Sequence, residues 1–491
     1  MKSTLRRHQT KAIEMLKFAM RSGSKRPMVQ LPTGAGKTVI AAAIVEGALQ
    51  KGNRVTFVVP ALSLIDQTVQ SFWREGIQDV GVIQASHELT NASRPVQVAS
   101  VQTLQRRQFP QTDVVVIDEA HRWFKRYAEW MAEPMFAGVP FIGLSATPWT
   151  KGLGDHFDDL LIAATTSDLI EQGYLSKFRV FGPSSPDLSK VRTVAGDYHE
   201  GDLADAMDKP ALTADVVETW CKLGGARPTL VFAVNRAHAK HLKAEFERVG
   251  VSAGYIDAFT DAAEREQIRK QFHDGDLQVV CNVGCLTTGV DWDVRCIVLA
   301  RPTKSEMLFV QMIGRGLRTA DGKDDCLILD HSDTHQNLGF VTDIHHTALS
   351  KKGEREAKKA NREQAEALPS VCSSCSFLKP AKVHECPSCG FAPERVQGLE
   401  TADGELVALD GQEIKHSAEE KRRWFSEILG YAHEKGKSNS FALATFKNKF
   451  GHWPHGKNSI RPAHPSDEVR SYIKSRMIAY AKRQQKARAA A

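Results

Sequence analysis

Residues Leu31–Thr38, which read Leu-Pro-Thr-Gly-Ala-Gly-Lys-Thr, have the composition of a loop that binds phosphate. Apolar residues precede and follow the loop, so we predict a strand, a glycine turn and a helix. Gly34 and Gly36 allow successive backbone N–H groups to point at one oxyanion, and the helix start adds positive potential. Lys37 can reach the β- and γ-phosphates of a nucleotide, and Thr38 can bind Mg²⁺. The strict phosphate-loop pattern has glycine where this chain has Leu31, but a plain turn would not explain Gly-Lys-Thr. The predicted phosphate-binding residues are Thr33, Gly34, Ala35, Gly36, Lys37 and Thr38.

A pair of acids follows the apolar strand Val114–Ile117. Asp118 can hold Mg²⁺ opposite Thr38, and Glu119 can orient or deprotonate water. An acid pair after a strand can also be a simple helix cap, but the glycine loop makes chemistry the better interpretation. His121 alone is more often structural.

Further polar residues follow other apolar strands of the sequence. Ser145 and Thr147 end the strand that starts at Phe141, and they could sense the γ-phosphate. Thr103 follows the strand that starts at Val96. After the strand Gln278–Val283 come residues whose hydroxyl and N–H groups suit nucleic-acid phosphate, with an acid that could couple to the nucleotide; they are Thr287, Thr288, Gly289 and Asp291.

Two arginines mark the second half of the predicted site. We predict that Gln311–Arg318 is helical, with Gln311 and Arg315 on one face and Arg318 beside them. Guanidinium groups donate paired hydrogen bonds to phosphate, and arginines from outside a phosphate loop stabilise the transferring group.

These residues require a scaffold of strands and helices that alternate along the chain. That alternation predicts parallel sheets, in which ligands bind at the carboxyl ends of the strands. Gln9 lies on an amphipathic helix upstream of the phosphate loop. Its amide can pair with an adenine edge, although a surface glutamine is an equally good interpretation. Residues 184–210 are polar and irregular, so we predict connecting structure there.

Four of the nine cysteines form two C-x-x-C pairs separated by ten residues. Such pairs can wrap a tetrahedral Zn²⁺ ion, so we predict a closed structural zinc site without catalysis. Two disulfides are the alternative, but a reducing compartment disfavours them. The predicted ligands are Cys372, Cys375, Cys386 and Cys389; His384 is surplus.

Charge is unevenly distributed over the 491 residues. The whole chain carries a net charge of +7, whereas residues 421–491 contain 16 Lys/Arg and 4 Asp/Glu, which is +12. A basic end suggests a polyanionic partner, and a solvated tail is the alternative. We predict that most aromatic residues there form a small core, and that Arg423, Lys447 and Lys449 contact nucleic acid. The sequence has no apparent signal peptide or membrane span, so we expect a cytoplasmic, nucleoid-associated protein.

The order of these motifs resembles superfamily 2 helicases with a DEAH-type second motif, over residues 1–345. The phosphate loop of that family likewise lacks a glycine at the position of Leu31. With the cysteine pairs and the basic end, the chain is most similar to bacterial RadD-like ATPases and their phage relatives. The motifs that carry the resemblance are Gln9, Pro32–Thr38, Asp118–His121, Ser145–Thr147, Thr288–Asp291 and Gln311–Arg318.

The resemblance implies an α/β fold with two tandem RecA-like lobes and ATP between them. It implies that Lys37, Thr38, Asp118 and Glu119 hydrolyse ATP, that Arg315 and Arg318 are arginine fingers, and that Gln9 reads adenine. We assign His121, Ser145, Thr147 and Gln311 to coupling between nucleotide and nucleic acid. The predicted domains are lobe 1 (1–165), lobe 2 (166–345), a charged linker (346–370), a zinc ribbon (371–395) and a basic helical module (396–491).

The predicted activity is that of a monomeric, ATP-dependent nucleic-acid translocase or helicase that uses ATP, Mg²⁺ and structural Zn²⁺. DNA is favoured over RNA because of the RadD-like resemblance, and single-strand-binding or repair proteins are expected partners. Three alternatives stay open. They are an RNA helicase or remodelling ATPase, a nucleic-acid-binding protein that uses ATP as a switch, and a motor subunit of a restriction system.

Overall fold

The structure is a computed structural model, and it describes residues 2–84, 86–182, 186–287, 291–352, 368–393, 417–454, 460–474 and 476–477. The chain divides into two compact units, Met1–Glu394 and Arg395–Ala491, which are described separately. Within the described residues, every helix is too short or too polar to span a bilayer.

A seven-stranded parallel sheet forms lobe 1, with the strand order β3-β4-β2-β5-β6-β1-β7. Its central strands are buried along their length, because helices cover both faces of a parallel sheet. The strands are β1 (Pro27–Gln30), β2 (Val55–Val59), β3 (Val80–Ile83), β4 (Val96–Ser100), β5 (Val114–Asp118), β6 (Phe141–Ser145) and β7 (Asp159–Ile162). The helices are α1 (Arg7–Arg21), α2 (Lys37–Leu49), α3 (Ile65–Arg74), α4 (Val101–Leu104), α5 (Lys125–Ala132) and α6 (Thr166–Glu171).

A six-stranded parallel sheet forms lobe 2, with the order β12-β13-β11-β14-β15-β8. Its strands are β8 (Lys177–Phe181), β11 (Thr229–Phe232), β12 (Ala253–Ile256), β13 (Val279–Asn282), β14 (Cys296–Leu299) and β15 (Asp325–Asp330). Its helices are α8 (Pro210–Leu223), α9 (Arg236–Arg248), α10 (Ala262–Asp274), α11 (Glu306–Ile313) and α12 (Thr334–Leu338). The two parallel sheets confirm the predicted fold class.

The prediction of irregular connecting structure over residues 184–210 is wrong for the part that the structure describes. A short antiparallel hairpin, β9 (Thr193–Val194) and β10 (Asp197–Tyr198), is followed by helix α7 (Glu200–Met207). Leu203 and Met207 are buried. Two apolar residues four positions apart bury one face of α7, although the segment is polar overall.

Residues 346–352, which follow lobe 2, return to lobe 1. The backbone N–H groups of Gly152 and Gly154 both donate to the Ser350 carbonyl, at 3.0 and 2.9 Å. The His346 ring stacks on Trp149, with 4.6 Å between ring centroids, and its Nε2 lies 2.7 Å from a carboxylate oxygen of Glu306. This segment therefore contacts both lobes.

The cysteine-rich segment packs against the outer edge of the lobe 2 sheet. It contains a two-stranded hairpin, β16 (Ser370–Val371) and β17 (Leu378–Lys379). The N–H of Gly182 donates to the Ser376 carbonyl at 2.8 Å, and Phe181 meets Phe377 edge to face, with 5.4 Å between their centroids. Because β8 is an edge strand, the hairpin covers backbone groups that would otherwise be exposed.

The second unit is helical where the structure describes it. Helices α13 (Ala418–Glu434) and α14 (Asn439–Phe450) pack around buried Trp424, Phe425 and Phe446. Gly430 lies in the contact with the chain at Ala463, where a Cβ atom would stand 1.8 Å from the carbonyl oxygen. The predicted helical module and its aromatic core are confirmed for these residues.

Candidate active site between the two lobes

The glycine loop joins β1 to α2 and lies against lobe 2. Gly34 and Gly36 have φ angles of +87° and +83°, in the left-handed region that favours glycine. A Cβ atom at Gly34 would also stand 2.9 Å from Leu175 Cδ2 and 3.2 Å from Arg318 Cγ. Both the backbone turn and the close approach of lobe 2 therefore require glycine at position 34.

Two side chains of α1 contact the backbone of the glycine loop. His8 Nε2 lies 2.9 Å from the Ala35 carbonyl oxygen, and Gln9 Nε2 donates to the same oxygen at 3.1 Å. Gln9 Oε1 accepts from the N–H of Arg6 at 2.9 Å. Both ends of the Gln9 amide are thus bonded within the protein, and its role as an adenine reader stays a prediction. The sequence analysis did not identify His8, because a histidine at a helix start carries no signal of its own.

The two acids lie at the carboxyl end of β5. Asp118 accepts a hydrogen bond from the N–H of Glu119 at 2.9 Å, while Glu119 Oε1 lies 2.6 Å from Lys37 Nζ. Glu119 has a φ of +46°, a left-handed conformation that costs a non-glycine residue about 1–2 kcal/mol. Strain of this kind persists only where surrounding contacts enforce it.

Burial and the Lys37 ammonium act in opposite directions on the pKa values of these acids. Burial raises the pKa of Asp118 to about 6, against the opposing effect of the Lys37 ammonium. Burial would also raise the pKa of Glu119, but Lys37 and other neighbouring groups hold it below its ordinary value. A buried carboxylate with a raised pKa gains from a cation, so Asp118 together with Thr38 fits a hard ion such as Mg²⁺.

A hydrogen-bond network links the acids to lobe 2. His121 Nδ1 lies 2.9 Å from Ser145 Oγ and 3.3 Å from Glu119 Oε2. Gln311, on α11, has its Nε2 atom 3.2 Å from both Thr147 Oγ1 and His121 Nε2.

Burial lowers the pKa of His121 to about 4, so its ring is neutral at neutral pH. A neutral ring can donate from Nδ1 and accept at Nε2, which satisfies both of its neighbours. The structure thus brings His121, Ser145, Thr147 and Gln311 together.

The prediction of one helix over Gln311–Arg318 is wrong after Ile313. Helix α11 ends there. Arg315 lies in the turn Gly314–Gly316, and Arg318 pairs with Leu175 in an isolated antiparallel β-bridge; we call Gly314–Arg318 the arginine turn. Gly316 packs closely on the lobe 2 sheet, because a Cβ atom there would stand 2.4 Å from Cys326 Sγ and 2.9 Å from Ile297 Cδ1. The arginines are therefore placed by the arginine turn and by the bridge to Leu175, and not by helical spacing.

Both arginines still face the cleft. Arg315 is 5% exposed, and burial beside Arg318 lowers its pKa to about 9, which leaves it charged at neutral pH. Arg318 Nη1 lies 3.3 Å from Asp291 Oδ1.

Gly314 is the point where this turn meets the phosphate loop. A Cβ atom at Gly314 would stand 2.6 Å from Thr33 Cβ.

Lys323 holds the same turn in place. Its ammonium donates to the carbonyl oxygens of Gly316, Arg318 and Val294 at 2.7, 2.6 and 2.7 Å. Charge-assisted hydrogen bonds of this length are among the stronger ones in proteins. The sequence analysis missed Lys323, because a lysine in a glycine turn gives no sign of its partners.

The residues from the two lobes enclose a cleft of about 640 Å³. A triphosphate in this cleft would meet cations and N–H groups from lobe 1 and guanidinium groups from lobe 2. The sequence-predicted residues that line it are Thr33, Gly34, Gly36, Lys37, Thr38, Asp118, Glu119, Asp291, Arg315 and Arg318.

The predicted nucleic-acid contacts in lobes 1 and 2 lie away from the cleft lining. Thr103 Oγ1 lies 3.0 Å from Ser100 Oγ at the start of α4. Thr287 is 8% exposed, and its hydroxyl donates to the Gly284 carbonyl. Thr288 and Gly289 lie outside the described residues.

In the second unit, the basic residues predicted to contact nucleic acid already have partners. Arg423 lies 3.7 Å from Glu427 and 3.6 Å from Glu468. The Lys447 ammonium is 4.6 Å from the Trp453 ring centroid, and the Lys449 ammonium is 3.8 Å from that of Trp424. Lys449 thus contributes to the aromatic core of its own unit, and contact of these residues with nucleic acid stays a prediction.

The four cysteines of the two C-x-x-C pairs meet at one point. Their sulfur atoms all lie within 4.8 Å of one another, with 3.8 Å between Cys372 and Cys389 and 3.7 Å between Cys375 and Cys386. Zn–S bonds of about 2.3 Å place tetrahedral sulfurs roughly 3.8 Å apart, whereas a disulfide requires about 2 Å. The arrangement therefore fits a tetrahedral metal ion and excludes a disulfide pairing in this structure.

The phosphate loop, the acids at the end of β5 and the two arginines define an ATPase site shared by two RecA-like lobes. Comparison with known families agrees with this class. Residues 2–150 match the family "Type III restriction enzyme, res subunit", and residues 213–320 match "Helicase conserved C-terminal domain". Both matches are consistent with a superfamily 2 helicase.

Individual relatives share modest sequence identity. The chain is 27% identical to a 51.5 kDa protein of a Lactococcus phage over 82% of this chain and 86% of that protein. It is 29% identical to IRC3 of Saccharomyces cerevisiae, over 66% of this chain but only 51% of the relative. It is 26% identical to the type I restriction enzyme EcoKI endonuclease subunit of Escherichia coli, over 69% of this chain and 35% of that subunit.

A solved structure of the type ISP restriction-modification enzyme LlaBIII shares the fold of 66% of this chain. Its TM-score is 0.50 at 17% sequence identity, and 27% of that chain is covered.

Proposed function

We propose that this protein is an ATP-driven translocase or helicase that acts on DNA. The observation that carries the proposal is the shared cleft, which Lys37 and Glu119 line from lobe 1 and Arg315 and Arg318 line from lobe 2. A site divided between two lobes changes its contacts when they move, so ATP binding and hydrolysis can close and open them. A switch protein could also use such motion, but an intact acid at position 119 supports hydrolysis.

In this proposal, each residue acts on the triphosphate from its observed position. Lys37 and the loop N–H groups bind the β- and γ-phosphates, and Glu119 orients the attacking water after Lys37 turns from it to the phosphate. Arg315 and Arg318 stabilise the charge that develops on the transferred group. Mg²⁺ bound by Thr38 and Asp118 would neutralise phosphate charge. The contacts of Gln311 with Thr147 and His121 transmit the state of the site between the lobes.

DNA is favoured over RNA because several relatives are named as restriction enzyme subunits. The chain spans only a third to about half of the length of several of these relatives, so their complete activities are not carried over. An RNA helicase or remodelling ATPase is the second candidate, because the cleft residues read phosphate and do not distinguish sugars.

The four cysteines are proposed to hold one structural Zn²⁺ ion. The basic second unit is proposed to target the motor to nucleic acid. Cytoplasmic location, monomeric state and binding to single-strand-binding or repair proteins stay predictions; one relative is named as mitochondrial.

The test is a panel of ATPase assays with single-stranded, duplex and branched DNA and with RNA. We expect DNA to stimulate hydrolysis, and Lys37→Ala and Glu119→Gln each to lower kcat by at least about 100-fold. Lys125→Met serves as a control, because Lys125 is 92% exposed and does not line the cleft. Stimulation by RNA alone would favour the second candidate. ATP hydrolysis that no nucleic acid stimulates would refute the proposed motor activity.

A further inference from the structure

Phe259 is a large apolar side chain displayed on the surface of lobe 2. It lies just after β12 and is 78% exposed, so it contributes little to the core of the lobe. Most exposed apolar side chains need no explanation. Phe259 differs because the surrounding residues fix its loop and place a cation on its ring.

Asp257 holds this loop in one conformation. Its Oδ1 accepts hydrogen bonds from the N–H groups of Phe259 and Thr260, at 2.8 and 2.9 Å. Its Oδ2 accepts from the Tyr255 hydroxyl at 2.7 Å and lies 2.7 Å from Arg236 Nε. Arg265 donates to the carbonyl oxygens of Asp257 and Thr260 from the other side. The ring is therefore displayed by a rigid support, and ordering it on binding costs little entropy.

The Arg236 guanidinium carbon stands 4.8 Å from the centroid of the Phe259 ring. Arg236 starts helix α9, immediately after β11, and is 56% exposed. A ring flanked by a guanidinium plane offers two flat faces of different chemistry, and nucleobases stack on both. The cation also disfavours an acyl chain or an apolar peptide as the occupant of this surface.

The position of Phe259 and Arg236 in lobe 2 indicates where a ligand would lie. Phe232, Ile256 and Asn282 are aligned in register at the ends of β11, β12 and β13. Arg236 follows β11 and Phe259 follows β12, the two strands that flank β13, so both lie at the edge of a parallel sheet where ligands bind. Thr287, predicted to contact nucleic-acid phosphate, follows β13 at the same edge.

We propose that Phe259 and Arg236 form a platform on which one base of a single-stranded nucleic acid stacks. This inference rests on the proposed function, because it places the strand across lobe 2. It adds a contact to a base where the motor otherwise holds phosphates. Stacking accepts any base, so the platform gives affinity without sequence preference.

The test measures Kd for an oligothymidylate of about 20 nucleotides and for an abasic phosphate polymer of equal length, at several salt concentrations. We expect Phe259→Ala to weaken oligothymidylate binding roughly 10- to 100-fold and to leave abasic binding unchanged. The slope of log Kd against log salt should not change, because no phosphate contact is lost. Phe259→Trp should restore binding.

The matched control is Phe18→Ala. Phe18 is 73% exposed on α1 of lobe 1, so its removal deletes a similar ring from another surface. If Phe259→Ala weakens binding to both polymers equally, or weakens binding to neither, the platform is overturned, provided that the wild type still binds DNA. Failure of the wild type to bind or respond to any nucleic acid would overturn both the platform and the proposed function.

Discussion

Gly314→Ala isolates the contact between the arginine turn and the phosphate loop. Gly314 has a negative φ, −57°, that alanine adopts freely, although the added Cβ atom would also stand 2.9 Å from the Val310 carbonyl oxygen. Its new methyl group would stand 2.6 Å from Thr33 Cβ and 2.8 Å from Thr33 Cγ2. Thr33 is β-branched and 7% exposed, and it cannot rotate away easily.

The structure sets the magnitude of the effect. Carbon atoms pack at about 3.5–4.0 Å, so the turn and the loop must separate by roughly 1 Å. Arg315 follows Gly314 directly and moves with it. Because a displacement of about 1 Å in a catalytic arrangement can cost 100-fold in rate, we expect kcat for ATP to fall roughly 30- to 100-fold. The lobes relieve the clash by moving apart, so we expect Tm to change by less than about 3 °C.

The assay is steady-state ATP hydrolysis at saturating DNA, with Tm measured on the same samples. Gly47→Ala is the matched control, because Gly47 lies in α2 with nothing within 4 Å of its added Cβ atom. Alanine there should stabilise the helix by up to about 1 kcal/mol without loss of rate. If Gly314→Ala hydrolyses ATP within twofold of the control, the lobes do not need this contact and the geometric reasoning fails.

Three further predictions concern other parts of the first unit. Lys323→Met removes three charge-assisted hydrogen bonds to the arginine turn, so we expect kcat to fall at least about tenfold with little change in ATP affinity, and Lys323→Arg to recover part of it. Chelation of metal under reducing conditions should lower Tm, because the four-cysteine segment covers the β8 edge, and about one zinc ion per chain should be released. His238 is buried and its pKa is lowered to about 4. In the unfolded chain the His238 imidazole binds a proton more readily. The stability that depends on His238 is therefore fully present above about pH 6.5 and falls by up to roughly 3 kcal/mol towards pH 4, and His238→Gln should reduce this fall.

Each of these has an outcome that contradicts it. Lys323→Met fails as a test of positioning if Lys125→Met, at a 92% exposed site, lowers kcat equally. Metal analysis that finds no zinc in protein purified without chelator would exclude the structural ion. An unchanged slope of Tm against pH in His238→Gln would show that His238 does not titrate on unfolding.

The sequence determined much of the architecture because its signals are local. Apolar runs such as Val55–Val59 and Val114–Ile117 are short and continuous, which is typical of strands buried in parallel sheets, and both are strands in the structure. The glycine loop and the C-x-x-C pairs are equally local, since each motif holds its chemistry within a few residues. The prediction over Gln311–Arg318 was wrong at its end, where Arg318 pairs with Leu175, a residue more than a hundred positions away that no local pattern reveals.

What the sequence determined by itself was the set of groups that can bind phosphate and metal, and the strands and turns that carry them. Only the tertiary structure decided which groups meet. It placed Arg315 and Arg318 across the cleft from Lys37, joined Gln311 to His121 and used Lys323 to hold the arginine turn. Gln311 and His121 lie 190 positions apart, and Lys323 reaches Arg318 around a turn, so no periodicity in the chain records these contacts.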